Sequence, residues 1–200
     1  MSTLANAAAR LKATSTKRRT KLPALWLMTD AQRLPDPVPA VKRLPRGSGV
    51  IVRHTDAAAR RRIGAQVAQV CRQRGLVCLI AGDWRLAAAL RVDGIHLSEA
   101  QARSGSGARL WRRTKRCLLT VSSHGRGKLG GDIAADAIIL AAVFPTASHP
   151  GRRSLGALRF AELARGSRMP VIALGGVTAT NARKVVQAGA DGIAAIGGLS

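Results

Sequence analysis

The sequence predicts a small (β/α)8 barrel. Eight short apolar segments recur along the 200 residues, and most of the stretches between them can form a helix. The segments are continuous apolar runs rather than alternating ones, which is typical of parallel strands covered by helices. Eight such units in succession favour a barrel. A doubly wound open sheet is the alternative, but the first strand lacks a G-x-G-x-x-G turn.

The predicted strands are residues 24–29, 49–53, 76–81, 94–97, 117–121, 136–142, 171–174 and 193–196. Four prolines between residues 31 and 47 require any first helix to be short or broken. After the second strand, Asp56 is positioned to cap a helix over residues 57–74, which Gly75 ends.

The remaining helices are predicted to be short. They cover residues 84–91, a turn capped by Ser98, residues 155–165, and residues 179–188 between Thr178 and Gly189. The segment 125–131 is rich in glycine, so we expect its helix to be weak.

Residues 1–22 lack acids and are predicted to form a basic, flexible tail, while residues 23–200 form one barrel domain. No apolar run approaches the length of a membrane span, so we expect a soluble, cytoplasmic protein without a membrane partner. The three cysteines are odd in number and lack C-x-x-C spacing, which predicts neither a disulfide framework nor a zinc site.

Thirty-three basic against ten acidic residues give a formal net charge of +23. Such a charge attracts anions, and we expect phosphorylated small molecules as partners. Nucleic acid is the less favoured partner, because an aromatic content of 2% without tyrosine provides no platform for stacking bases.

Glycine pairs follow the seventh and eighth predicted strands, as Gly175-Gly176 and Gly197-Gly198. Barrels often bind phosphate at these two loops, where bare backbone amides can turn toward an anion. The loop after the sixth strand adds the hydroxyls of Thr146 and Ser148. The sequence therefore predicts a phosphate site at the carboxyl ends of the strands.

Several segments carry a family resemblance. Among them are Asp93-Gly94-Ile95-His96-Leu97, Val121-Ser122-Ser123-His124, Val143-Phe144-Pro145-Thr146, and residues 170–176. Together they resemble the thiamine phosphate synthase family, which includes thiazole tautomerases, over about residues 25–199. The resemblance implies a transferase of thiamine biosynthesis. Such an enzyme joins a hydroxymethylpyrimidine diphosphate to a thiazole phosphate and releases diphosphate, with Mg2+ and basic side chains holding the leaving group.

The resemblance also implies site residues. Arg53 stands at a diphosphate position, Asp83 at the first of two Mg2+ aspartates, and Thr146 and Ser148 in the hydroxyl loop. Ser122, His124 and His149 are the candidate catalytic residues, and the two glycine pairs are candidate substrate ligands. We expect His96 to be packed within its strand.

Three positions depart from the family pattern. Only Arg53 survives of Gln-x-Arg-x-Lys, Gln101 stands for the second Mg2+ aspartate with Glu99 nearby, and His149 replaces a lysine. All three concern diphosphate and metal, so we expect weak synthase activity. Two alternatives stay open: a thiazole tautomerase-like isomerase using His124, and a non-catalytic barrel that binds phosphorylated ligands or RNA.

Overall fold

Eight parallel strands form a closed barrel in a computed structural model that describes residues 4–14, 22–104, 117–125, 135–146 and 153–196. The strands are β1 (Leu25–Met28), β2 (Gly49–Val52), β3 (Val77–Ala81), β4 (Gly94–Leu97), β5 (Leu118–Ser123), β6 (Ala137–Leu140), β7 (Val171–Leu174) and β8 (Gly192–Ala195). Each strand pairs with the next, and β8 pairs with β1. The predicted (β/α)8 barrel is confirmed.

The described helices are α1 (Leu4–Thr14), α2 (Val38–Arg43), α3 (Ala57–Arg74), α4 (Trp84–Ala89), α5 (Glu99–Arg103), α6 (Gly156–Gly166) and α7 (Ala182–Gln187). α3 has the predicted ends, because the Asp56 carboxylate accepts from the Ala59 amide and Gly75 adopts a left-handed φ of 65°. α2 has only six residues and begins in its proline-rich segment, as predicted.

Two of the boundaries that differ from prediction concern a helix cap and a site residue. α7 begins at Ala182 with Asn181 as its N-cap, because the Asn181 side chain accepts from the Thr178 amide and holds a turn ahead of the helix. β5 continues through Ser123, which places Ser122 inside the barrel strand rather than in the loop after it.

The amino-terminal segment differs most from prediction. We predicted a flexible tail over residues 1–22. Residues 1–3 and 15–21 lie outside the described residues, but residues 4–14 form α1, which contacts β8, β1 and α7. Leu4, Ala7, Ala8 and Leu11 are buried on one side of this helix. This apolar face at helical spacing was hidden in the sequence by the alanine and basic residues around it. α1 therefore covers the outside of the barrel where β8 meets β1.

The barrel interior is a core separate from the layer between strands and helices. Trp26 is its largest side chain and is fully buried. Its ring fills the space above Gly49 on the neighbouring strand, where an added Cβ would overlap the indole. The pairing of a large residue with glycine explains why a glycine begins β2.

Three aspartates tie the amino ends of strands together. Each precedes an even-numbered strand and accepts a hydrogen bond from an amide of the strand before it. The pairs are Asp93 with Cys78 at 2.7 Å, Asp136 with Leu119 at 2.7 Å, and Asp191 with Val171 at 2.9 Å. These carboxylates lie at the end of the barrel that serves stability rather than catalysis.

Two sequence expectations outside the site can also be compared with the structure. Within the described part of the chain, no helix has the length and apolar character needed to cross a membrane. Within the described residues, Cys71, Cys78 and Cys117 form no disulfide bond.

Candidate functional site

The parallel barrel brings the predicted site residues to one end. Arg53 follows β2, Asp83 follows β3, His124 follows β5, and Thr146 and Gly175 lie in the loops after β6 and β7. All strands point the same way, so these positions share the carboxyl end of the barrel, where barrel enzymes place their sites. The predictions for Ser148, His149, Gly197 and Gly198 lie outside the described residues.

A cavity of about 700 Å³ opens over the ends of β4, β5 and β6. His124, Thr146, Glu99 and Arg153 are among its lining side chains. The Glu99 carboxylate is paired with the Arg103 guanidinium at 2.5 Å, so it is already engaged within its own helix. The cavity thus offers an imidazole, a hydroxyl and cationic groups, and its volume suits a small organic ligand.

His124 has a defined tautomer in this cavity. Its Nδ1 lies 3.2 Å from the carbonyl oxygen of Ala141, which can only accept a hydrogen bond. The proton of the neutral ring therefore lies on Nδ1, and Nε2 carries the lone pair. An imidazole in this state can act as a general base.

His96 is buried, as expected, but it also has a partner in the site. Its Nε2 lies 2.8 Å from the Ser122 Oγ, and its Nδ1 lies 2.9 Å from the Thr120 Oγ1. Burial, with a smaller contribution from the charge of Arg53, lowers the pKa of His96 to about 4. The ring is therefore neutral at pH 7 and joins two hydroxyls across the barrel interior.

The glycine pair after β7 lies tightly against the loop after β6. Gly175 and Gly176 have φ values of 92° and 65°, which non-glycine residues rarely adopt. The Phe144 amide donates to the Gly175 carbonyl at 3.0 Å, and the Asn181 side chain donates to the Gly176 carbonyl at 2.8 Å. The carbonyls are thus held by the protein in a loop that only glycine can follow.

Arg53 is held at the ends of β1 and β2. Its Nη2 lies 2.6 Å from the Asp30 Oδ2, and its amide donates to the Thr29 hydroxyl. Burial raises the pKa of the Asp30 carboxyl, but hydrogen bonds from the Arg33 amide, the Arg53 side chain and the Gln32 amide outweigh it, and the pKa lies below its usual value. The ion pair persists at neutral pH and fixes the guanidinium at the barrel mouth.

Asp83 has a different environment from the predicted metal ligand. Its Oδ1 accepts from the Leu86 amide at 2.9 Å and caps α4, while its Oδ2 lies 3.3 Å from the Arg60 Nη2. Gln101, at the second metal position, packs against Gly82, where an added Cβ would lie 2.8 Å from the Gln101 Nε2.

These donors do not fit a protein-held Mg2+ ion. Mg2+ needs free oxygen ligands, usually carboxylates. Here both oxygens of Asp83 have protein partners, and the second position carries a neutral amide. Among the described residues, no three potential His, Cys, Asp or Glu ligands cluster. The assignment of Asp83 as a metal ligand therefore disagrees with the geometry.

Arg60 was not predicted as a site residue, and His96 was expected only to pack within its strand. Arg60 is the fourth residue of α3, within an arginine-rich stretch that resembles a solvated face. The available signal was positional, because helices of a barrel begin where the preceding strands end, and their first turns border the site. For His96, the signal was the alternation of interior and exterior side chains along a barrel strand, which allows an interior position for this residue.

Fold and site together define a (β/α)8-barrel protein with a basic, hydroxyl-containing candidate site at the carboxyl ends of its strands. Residues 29–199 match the family model for thiamine monophosphate synthase. The chain belongs to the thiamine monophosphate synthase family.

Individual proteins agree with this assignment. The chain is 28% identical over 178 residues to the thiamine biosynthesis bifunctional protein ThiED of Geobacter sulfurreducens, covering 86% of this chain and 36% of that protein. It is 27% identical over 194 residues to the thiamine-phosphate synthase of Bacillus velezensis, covering 90% and 84%. This chain thus spans about a third of the bifunctional relative and most of the second one.

A solved structure has the same fold. The thiamine phosphate pyrophosphorylase of Pyrococcus furiosus superposes with a TM-score of 0.68 at 22% sequence identity, covering 88% of this chain and 86% of that one. At this identity the likeness establishes the barrel architecture, and the activity is argued from the site.

Proposed function

We propose that the protein is a thiamine-phosphate synthase-like transferase that joins a hydroxymethylpyrimidine diphosphate to a thiazole phosphate. The observation that carries the proposal is the gathering of Arg53, Ser122, Thr146 and the Gly175-Gly176 loop at one barrel mouth, in a chain of this family. The site is rich in arginine, which suits two phosphorylated substrates.

The proposed reaction is a substitution at the methylene carbon of the pyrimidine. The bond between this carbon and the diphosphate oxygen breaks, and its electron pair leaves with the diphosphate. The thiazole nitrogen then donates its lone pair to the same carbon, which leaves a positively charged thiazolium ring. The protein has to stabilise the departing negative charge and hold the two rings in line.

The residues divide these tasks by their chemistry. The Arg53 guanidinium provides fixed positive charge for the diphosphate. The Ser122 hydroxyl, held by neutral His96, suits the uncharged polar groups of a pyrimidine ring. The amides of Gly175 and Gly176 donate no hydrogen bond to any other described residue, so they can donate to the thiazole phosphate.

Purified protein, both substrates at saturation and a coupled diphosphate assay test the proposal. We expect diphosphate release that depends on both substrates and yields thiamine phosphate. Ser122→Ala should lower kcat strongly, and exposed Arg165→Ala in the last turn of α6 serves as a folding control. No diphosphate release above background would contradict the proposal.

A thiazole tautomerase-like isomerase is the second candidate function, and the His124 geometry favours it. The Nε2, which carries the lone pair when the ring is neutral, belongs to a ring that lines the 700 Å³ cavity, together with Thr146 and Arg153. Moving a proton between two carbons of a thiazole requires a base of this kind, and a phosphate on the same ligand would be held by the arginine.

The test is aromatisation of a thiazole tautomer phosphate in the absence of metal. We expect His124→Ala to slow turnover at least tenfold, because general base catalysis contributes at least this much. His124→Gln keeps a polar group without the basic nitrogen and should be equally slow. Full turnover in His124→Ala would exclude this role.

A further inference from the structure

A second basic depression lies beside the barrel mouth. This arginine cleft has a volume of about 570 Å³ and is lined by Arg60, Arg61, Asp83, Trp84 and Arg85. Three arginines and one carboxylate thus line the cleft, and that carboxylate already caps a helix. The lining is strongly attractive to an anion.

Two contacts hold the Arg60 guanidinium beside the Asp83 carboxylate. Its Nη1 donates to the His54 carbonyl at 3.0 Å, and its Nη2 lies 3.3 Å from the Asp83 Oδ2. The first contact anchors the guanidinium to the end of β2, and the second places it beside the end of β3. Only 20% of its side chain is exposed, which strengthens its field relative to a solvated arginine.

The ion pair with Asp83 does not use the full capacity of this guanidinium. Its 3.3 Å separation exceeds the 2.7–2.9 Å typical of a strong charge-assisted contact. In addition, the buried Arg60 Nε and the buried His54 Nε2 have no hydrogen-bond partner within the described chain. The polar groups around Arg60 are therefore incompletely satisfied by protein partners.

We propose that the Arg60 guanidinium takes the place of a divalent cation beside Asp83, so that the arginine cleft binds a diphosphate group without Mg2+. A cation next to this carboxylate both neutralises it and presents positive charge to the ligand, which a guanidinium does with directed N–H groups. The choice of diphosphate rests on the proposed transferase function. Asp83 then orients Arg60 and caps α4 instead of binding metal.

Two kinds of binding measurement test the proposal without relying on turnover. Calorimetric titration with inorganic diphosphate in EDTA should give a saturable site whose affinity changes less than threefold when Mg2+ replaces EDTA. Titration with Mn2+ alone, followed by electron paramagnetic resonance, should show no saturable site below 1 mM, a threshold on the order of weak carboxylate sites.

Variants separate the two roles of the cleft residues. Arg60→Gln should weaken diphosphate binding at least tenfold, which is the change expected for loss of one charged hydrogen bond. Arg62→Gln removes the same charge from the same helix outside the cleft and should change binding by less than threefold. Asp83→Asn keeps a good helix cap and an amide oxygen that can still accept from Arg60, so a saturable diphosphate site should persist in EDTA.

The opposite pattern would overturn the proposal. Diphosphate binding that requires Mg2+, or a saturable Mn2+ site lost in Asp83→Asn, would make Asp83 a metal ligand. If Arg60→Gln and Arg62→Gln weakened diphosphate binding equally, Arg60 would act only through the overall positive charge of the protein. Diphosphate binding in EDTA without synthase turnover would contradict the proposed function alone, and Mg2+-dependent turnover with Mg2+-dependent binding would contradict this inference alone.

Discussion

The His96 Nε2 lies 2.8 Å from the Ser122 Oγ inside the barrel, on neighbouring strands β4 and β5. Thr120 holds the other ring nitrogen, so the imidazole cannot turn away without losing both contacts. The Ser122 hydroxyl is therefore positioned by a neutral ring rather than by solvent.

This contact predicts different effects of substituting Ser122 and His96. Ser122→Ala leaves a buried ring nitrogen without its partner and should cost about 1–3 kcal/mol of unfolding free energy. His96→Asn should lower kcat more than it changes KM, because it releases Ser122 without removing it. Urea unfolding and steady-state kinetics measure these effects. Wild-type kcat in His96→Asn would contradict a positioning role.

A pH dependence of stability follows from the same imidazole. The pKa of His96 is about 4 in the folded protein and about 6.5 in an unfolded chain, so only the unfolded state binds the proton between these values. Stability should fall as the pH drops from 6.5 toward 4, by up to ~3 kcal/mol. Burial, mainly, also lowers the pKa of His54, which adds a loss in the same direction.

Urea denaturation at pH 7.0 and pH 4.5 measures this loss. His96→Asn removes the titrating group, so it should be less stable at pH 7 and should lose less on acidification. An identical pH slope in the wild type and the variant would show that other groups dominate.

Because α1 packs against the barrel, we expect a substitution at its buried face to lower the free energy of unfolding as much as a substitution in the core. Leu11 is 2% exposed, and Leu11→Ala should destabilise the barrel by about 2–5 kcal/mol. Ala9 is exposed on the same helix, and Ala9→Gln is the matched control with little expected effect. Equal melting temperatures for both variants would contradict the docking of this helix.

Gly176 and Gly189 form a natural pair for testing the loop after β7. Both have positive φ, 65° and 85°, so alanine at either position carries a backbone strain of about 1–2 kcal/mol. At Gly176 the added Cβ would also lie 2.8 Å from the Phe144 Cβ and overlap the Pro145 carbonyl, whereas at Gly189 nothing lies within 4 Å.

Gly176→Ala should therefore be less stable than Gly189→Ala and should also weaken binding of a thiazole phosphate. Thermal melts and ligand titration of the two variants provide the comparison. Equal affinities of the two variants for the thiazole phosphate would show that the loop after β7 does not bind the phosphate.

The barrel could be predicted because its evidence is local. Each strand is a short apolar run, and residues such as Asp56 and Gly75 mark helix ends by their own conformational preferences. α1 could not be predicted in this way, because half of its buried face consists of alanines and its stability comes from packing on α7, β8 and β1.

For the site, the sequence alone determined the family pattern and the end of the barrel at which Arg53, Ser122, His124, Thr146 and the glycine loop gather. Only the tertiary structure decided which groups are already engaged. Asp83 caps α4 and pairs with Arg60, which lies 23 residues earlier in α3, and His96 on β4 contacts Ser122 on the adjacent strand β5. Such contacts join residues distant in sequence, so they depend on the closure and register of the barrel rather than on any local pattern.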